Sequence, residues 1–196
     1  MRCPYCHSPL EENSAECPTC KLTLSRVSAL LGPVPRTAPG IGETLRVLDK
    51  RSIKKLAARI DEMQRRFPQV KMHIIVRDFP SIYPFDLFLF LTFNHARLSI
   101  EAHKGCENRD ILLVVDPSQA RCGLTVGYGL EPFLREETLD HLLELAEPAF
   151  RDQRWLDGFT TIVDGLDRLL ESVAIDIAEA IGIPTHQSLI VVDGEY

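Results

Sequence analysis

The sequence predicts an α/β layered domain behind a short cysteine-rich module, and three observations carry that prediction. Between residues 44 and 181 the apolar residues recur alternately at helical and at strand spacing, the pattern of helices layered on a sheet. Two Cys-x-x-Cys pairs, Cys3-Pro4-Tyr5-Cys6 and Cys17-Pro18-Thr19-Cys20, crowd the first 20 residues. Between these regions, residues 25–43 hold Gly32, Pro33, Pro35, Pro39, Gly40 and Gly42. Three segments follow from this: a metal-held ribbon at 1–24, a linker at 25–43 and one globular domain at 44–196.

Residues 1–24 are too few to enclose a hydrophobic core, so something else must order them. Each Cys-x-x-Cys knuckle turns two sulfurs toward one ion, and two knuckles supply the four thiolates of a closed tetrahedral zinc site, at about 2.3 Å per Zn–S bond. Metal binding then provides most of the folding energy. Iron can also occupy a four-thiolate site, although the loop of ten residues between the pairs is short for that. Cys3, Cys6, Cys17 and Cys20 are therefore the expected zinc ligands, and a site with four protein ligands points to a structural ion. In the linker, prolines lack a donor N–H and glycines lower order, which predicts a semi-extended connection.

Within the domain, Ile53, Leu56, Ala57, Ile60, Met63 and Phe67 keep helical spacing, with Ser52 as the expected N-cap and Pro68 as the stop. Residues 70–76 are short and rich in β-branched side chains and read as a strand. Residues 85–98 form a continuous apolar run that suits a buried helix or a buried strand equally. Strands are expected at 111–116, ending in Asp116-Pro117, and at 121–127. Helices are expected at 136–149 and 152–181, the second presenting Trp155, Phe159, Ile162, Leu166, Leu170 and Ile177 inward. Residues 188–193 fit either an edge strand or a loose tail.

The composition, 45% apolar and 26% charged over 196 residues, excludes collagenous, coiled-coil and wholly disordered chains. No run approaches the roughly 18 apolar residues of a membrane helix. The opening Met1-Arg2-Cys3-Pro4 lacks the apolar stretch of a secretory signal, so the cytoplasm is the expected location. Charge is uneven. Residues 25–70 carry ten Lys/Arg against four Asp/Glu, whereas residues 122–196 carry four against fifteen. The net charge of −6 disfavours generic nucleic-acid binding. The basic residues Lys50, Arg51, Lys54, Lys55, Arg59, Arg65 and Arg66 read as a solvated helix face, or one that meets the acidic half of the chain. Cys122 reads as a small hydrophobe in a strand, Cys106 as a loop thiol without evident His and Asp partners, and His73 as a structural histidine.

Glu107-Asn108-Arg109-Asp110 before an apolar strand, the turn Gly127-Tyr128-Gly129-Leu130-Glu131, and Pro148-Ala149-Phe150-Arg151 followed by Trp155 and Gly158 come in a defined order. In that order and spacing they resemble the TPM domain family over residues 47–172. The resemblance implies an α/β sandwich with helices on both faces of a small mixed sheet. It also implies divalent-cation binding, notably of calcium, and in some members phosphatase activity. Two positions depart from the family pattern: His103 stands where a carboxylate is common, and Gln153 where a glycine is usual.

Read from the residues alone, Gly127 and Gly129 permit a tight turn after a strand, and Glu131 then serves either as a structural cap or as a ligand. As a ligand it would join Asn108, with Asp49 or Asp116, around a Ca²⁺ or Mg²⁺ ion, because hard cations need several oxygens and loops can deliver them. The expected function is a non-catalytic interaction module that binds a protein partner and a divalent cation. The alternative is a divalent-metal-assisted phosphatase, for which the sequence assigns no nucleophile and base.

Overall fold

Val, Ile and Leu dominate residues 70–76 and 110–116, and these two runs form the centre of a four-stranded sheet. In the computed structural model the described residues are 3, 5–6, 8–11, 14–23, 25–26, 29, 40–43, 47–81, 84–95 and 109–180. The elements run β1 (Gly40–Glu43), α1 (Lys50–Arg66), β2 (Lys71–Val76), α2 (Phe85–His95), β3 (Asp110–Asp116), β4 (Arg121–Val126), α3 (Glu136–Arg151) and α4 (Trp155–Ala180). Strand order is β1-β2-β3-β4. The first three strands are parallel, and β4 returns antiparallel to β3 with Asp116 opposite Arg121 and Ile111 opposite Val126. The sheet is mixed, as expected, and helices cover both of its faces. Every residue of β3 is buried, the condition of a strand covered on two sides.

The pleat divides the apolar residues between two clusters. Met72, Ile74, Val76, Ile111, Leu113 and Val115 face α1, α3 and α4, where they meet Leu56, Ile60, Leu142, Phe159 and Leu166 among others. Ile75, Leu112 and Val114 face the opposite way and are covered by Phe79 and by Leu87, Phe88 and Leu91 of α2. Leu22 of the cysteine module packs against this second cluster.

Four expectations are corrected or decided here. Residues 40–43, assigned to the linker, are β1 and pair with His73 to Val76, so the sheet begins before the linker's composition ends. The undecided run at 85–98 is helical over Phe85–His95. Its apolar surroundings explain why periodicity is weak there, and Gly123 of β4 lets it sit close: a Cβ at that position would lie 2.8 Å from Leu89 Cδ2. The N-cap of α1 is Asp49 rather than Ser52. Its carboxylate accepts the Ser52 backbone N–H at 2.7 Å, because the polar residues Lys50 and Arg51 already belong to the helix. Ile177 is exposed rather than inward. Of the linker, only residues 25–26, 29 and 40–43 are described, and the segment 188–193 lies outside the described residues.

The turn between α3 and α4 explains much of the motif around Phe150. The Gln153 N–H donates to Phe150 O at 3.0 Å and the Arg154 N–H to Ala149 O at 2.8 Å, the paired bonds of a Schellman cap. That cap needs its first residue beyond the helix in the left-handed region, and Gln153 has φ 58°. Phe150 then stacks near Trp155 and Phe159, with ring centroids 6.0 and 5.2 Å away. Gly158 leaves room for the Phe150 ring, whose Cε1 would be 2.4 Å from an added Cβ.

Candidate metal centre and the two ends of the sheet

The four N-terminal cysteines converge. Their sulfurs all lie within 4.8 Å of one another, with Cys3 3.6 Å from Cys20 and Cys6 3.6 Å from Cys17. Tetrahedral Zn–S bonds of about 2.3 Å would place sulfurs about 3.8 Å apart, so this set fits a metal ion. The two knuckles share one backbone device: the Cys3 N–H donates to Ser8 O, and the Cys17 N–H to Leu22 O, each at 2.9 Å. A bridge between Glu16 and Thr23 closes the second knuckle, and Lys21 takes a left-handed φ of 58° to make the turn. The Ser8 hydroxyl, 3.3 Å from Cys6 Sγ, and the Ser8 amide favour the Cys6 thiolate and pull that thiol down to about 6. Burial pushes Cys20 up to about 12, and backbone hydrogen bonds at Cys20 draw Cys17 down. Unequal thiols of this kind are equalised when a cation takes all four as thiolates. Among the described residues this is the one group of three or more His, Cys, Asp or Glu side chains arranged to hold a metal ion.

The other expected cation ligands are divided between the two ends of the sheet. Asp116 ends β3 and is completely buried. Its carboxylate accepts from the Ser118 hydroxyl at 2.6 Å and from Arg121 Nη2 at 2.8 Å. It also accepts the backbone N–H groups of Ser118 at 3.1 Å and of Phe79 and Gln119 at 3.3 Å. Burial pushes its pKa upward, but the Ser118 hydroxyl and Arg121 outweigh burial and hold it below the usual carboxylate range. Asp116 thus pins the β3–β4 turn and the segment after β2. Asp49, near the same end of the sheet, is occupied in capping α1, and the Ser52 hydroxyl and amide lower its pKa.

Glu131 belongs to the opposite end. The Gly127 N–H donates to Asp110 O at 2.9 Å, and the Leu130 and Glu131 N–H groups fold back onto Gly127 O, so the glycine turn is anchored where β3 begins. The seven residues of β3 separate Glu131 from Asp116 by roughly 20 Å. Leu130 is buried in the core while Tyr128 is exposed. The Glu131 carboxylate is exposed and makes no ion pair among the described residues. Asn108 lies outside the described residues, as do His103 and Cys106. At this same end, His73 and Asp110 form a buried pair, Nε2 to Oδ1 at 3.2 Å, which agrees with a structural histidine.

The remaining candidates take structural places. Arg59 pairs with Asp164 of α4 at 3.4 Å, and Arg66 pairs with Asp167 and Glu171, so part of the basic face of α1 meets the acidic half of the chain. Cys122 is half-buried in β4, and burial raises its thiol to about 11, the opposite of an activated nucleophile. Trp155 is half-buried beside Phe150.

Sequence reasoning did not single out the groove beside β4. It is about 620 Å³, floored by Cys122 to Val126 and walled by α2 and α3. The alternation of Cys122, Leu124 and Val126 was the available signal, but which strand lies at an edge is a property of sheet order. No helix among the described residues is long and apolar enough to cross a membrane.

Comparison with known proteins agrees with this architecture. The model of a family described as the TPM domain matches residues 45–169. No curated protein matches the sequence. Among solved structures, the N-terminal domain of a protein from P. gingivalis is similar at a TM-score of 0.58 and 20% identity, covering 71% of this chain and 89% of that one. The N-terminal domain of the cg2496 protein from Corynebacterium glutamicum has a TM-score of 0.49 and 13% identity, covering 70% and 82%. The first of these likenesses supports the fold alone.

Proposed function

The chain belongs to the TPM domain family, and we propose that it acts as a non-catalytic interaction module in which a zinc-held ribbon is joined to a TPM domain that binds a protein partner. The observation that carries this reading is how the acidic residues are used. Asp116 is saturated by five donors, and Asp49 is committed to a helix cap. Neither is free to activate water or hold a phosphate-bound metal. Zinc suits the module because four soft thiolates in a tetrahedral set select it over hard cations. A divalent cation bound at the strand–loop edge would be held at the Glu131 end, where the carboxylate is exposed and makes no ion pair among the described residues.

The test is made on the purified full chain. Phosphate release from p-nitrophenyl phosphate is measured with Ca²⁺ and with Mg²⁺, and in parallel the full chain is cross-linked in cells to recover what it binds. We expect no release above background and a reproducible protein partner. Metal-dependent release that falls in Glu131→Ala would replace this reading with the phosphatase.

A further inference from the structure

The edge of β4 is built to receive one more strand. Among the described residues β4 has β3 on one side and no strand on the other. Proteins guard such edges with proline, outward lysines or bulges. β4 has none of these, and its one charged side chain, Arg121, is turned inward to Asp116. The groove of about 620 Å³ runs along this edge. Its α2 wall carries Asp86 and Leu89, and its α3 wall carries Glu136, Leu139, Asp140 and Leu143. Charge decides what would enter it. The lining holds four carboxylates, Asp86, Glu131, Glu136 and Asp140, against one guanidinium, Arg135, and none of the four is ion-paired among the described residues. The facing pair α1 and α4 instead neutralises its charges internally.

We infer that this groove binds an extended, basic peptide segment of a partner protein, which adds to the sheet as a strand beside β4. The main chain would take up the free N–H and C=O groups of the edge, and alternate side chains would fall toward the two helices. Cys122, Leu124 and Val126 face the α3 side, so peptide residues on that side meet Leu139 and Leu143 and should be apolar. Residues turned to the other side and those at the ends meet Asp86, Glu131 and Glu136, which calls for Lys or Arg. The flanking helices argue for a single strand over a second copy of this chain, since a second β4 edge would bring its own helical walls into collision with these. This inference rests on the interaction-module reading and names the surface and the partner chemistry for it.

Short synthetic peptides alternating Val with Lys or Arg are titrated against the metal-loaded full chain, beside matched peptides carrying Glu at the basic places. The basic set should bind more tightly by about tenfold or more, with an affinity that falls as salt rises. On binding, hydrogen exchange should slow at alternate amides of β4. Charge reversal by Glu136→Lys with Asp140→Lys, both exposed, should abolish the preference with only a small fall in the thermal midpoint, since Glu136 stands in the first turn of α3. Equal binding of the two sets, protection that spares β4 in favour of the exposed Tyr128 and Phe133, or a two-fold self-association through β4 would each overturn the inference. So would capture of the cellular partner by the charge-reversed variant as well as by the native chain, a result that leaves the broader interaction reading standing. Loss of that broader reading shows instead as phosphate release with no captured partner.

Discussion

The cysteine module and the α/β domain reach order by opposite means. Among the described residues the module buries Cys3 and Cys17 but encloses no apolar cluster of its own, and its one link to the core is Leu22. The domain buries two apolar clusters, one on each face of its sheet. The first region is held by a point of convergence and the second by area removed from water. An ion held by all four thiolates would fix a fold and leave no open coordination position. The same contrast recurs inside the domain, between a saturated carboxylate at Asp116 and one at Glu131 that makes no ion pair among the described residues.

The sharpest way to break the comparison is to remove the metal. If the four cysteines hold zinc as proposed, chelation or Cys17→Ser should forfeit most of the roughly 10–16 kcal/mol that such an ion would contribute. Hydrogen exchange should then show the Cys3 and Cys17 amides losing protection, while the unfolding transition of residues 40–180 stays in place. If that transition falls too, the Leu22 contact carries more of the domain than its partial burial implies.

A smaller effect separates the two ends of the sheet. Asp116→Asn should cost about 3 kcal/mol in urea unfolding, because it removes a buried charge and leaves its donors poorly matched. Glu131→Gln should stay within about 0.5 kcal/mol. The pH dependence has a definite sign. The folded Asp116 carboxyl sits below its ordinary value of 3.8, so its contribution is complete above that pH and is lost as pH falls through the lower folded value. The gap between the native chain and Asp116→Asn should accordingly close on acidification below about pH 4.

The smallest effect concerns Gln153. A non-glycine residue at φ 58° in a Schellman cap carries strain that glycine would relieve, partly offset by the greater freedom of glycine in the unfolded chain. Gln153→Gly should raise stability by up to about 1 kcal/mol, read as a higher thermal midpoint. A loss of stability would show that the Gln153 side chain does more than fill the turn.

Much of this was legible because it is local. The spacing of Cys3, Cys6, Cys17 and Cys20 announces the convergence that the sulfur distances show. The apolar runs at β2 and β3 were readable because strands buried on both faces carry little else. The TPM motif was legible as a pattern, but its meaning was not. Phe150, Trp155 and Gly158 turn out to form the corner of a helical hairpin, and Gly127 to anchor its turn on Asp110. The short strand β1 was hidden because Gly40-Ile41-Gly42-Glu43 has the composition of a linker and becomes a strand only beside β2. Asp49 as a cap was hidden because helical periodicity starts later than the helix does.

What the sequence by itself determined is the cysteine module, the alternation of helices and strands, and the family to which the domain belongs. The first two depend on residues close in the chain, where spacing sets geometry, and the third on the order of short motifs between residues 107 and 158. Only the tertiary structure decided that Asp116 and Glu131 stand at opposite ends of one strand, that α2 packs on the face opposite α1, α3 and α4, and that β4 is an edge among the described residues. These are relations across the sheet, set by strand order and by which face each pleat presents, and no local spacing encodes them.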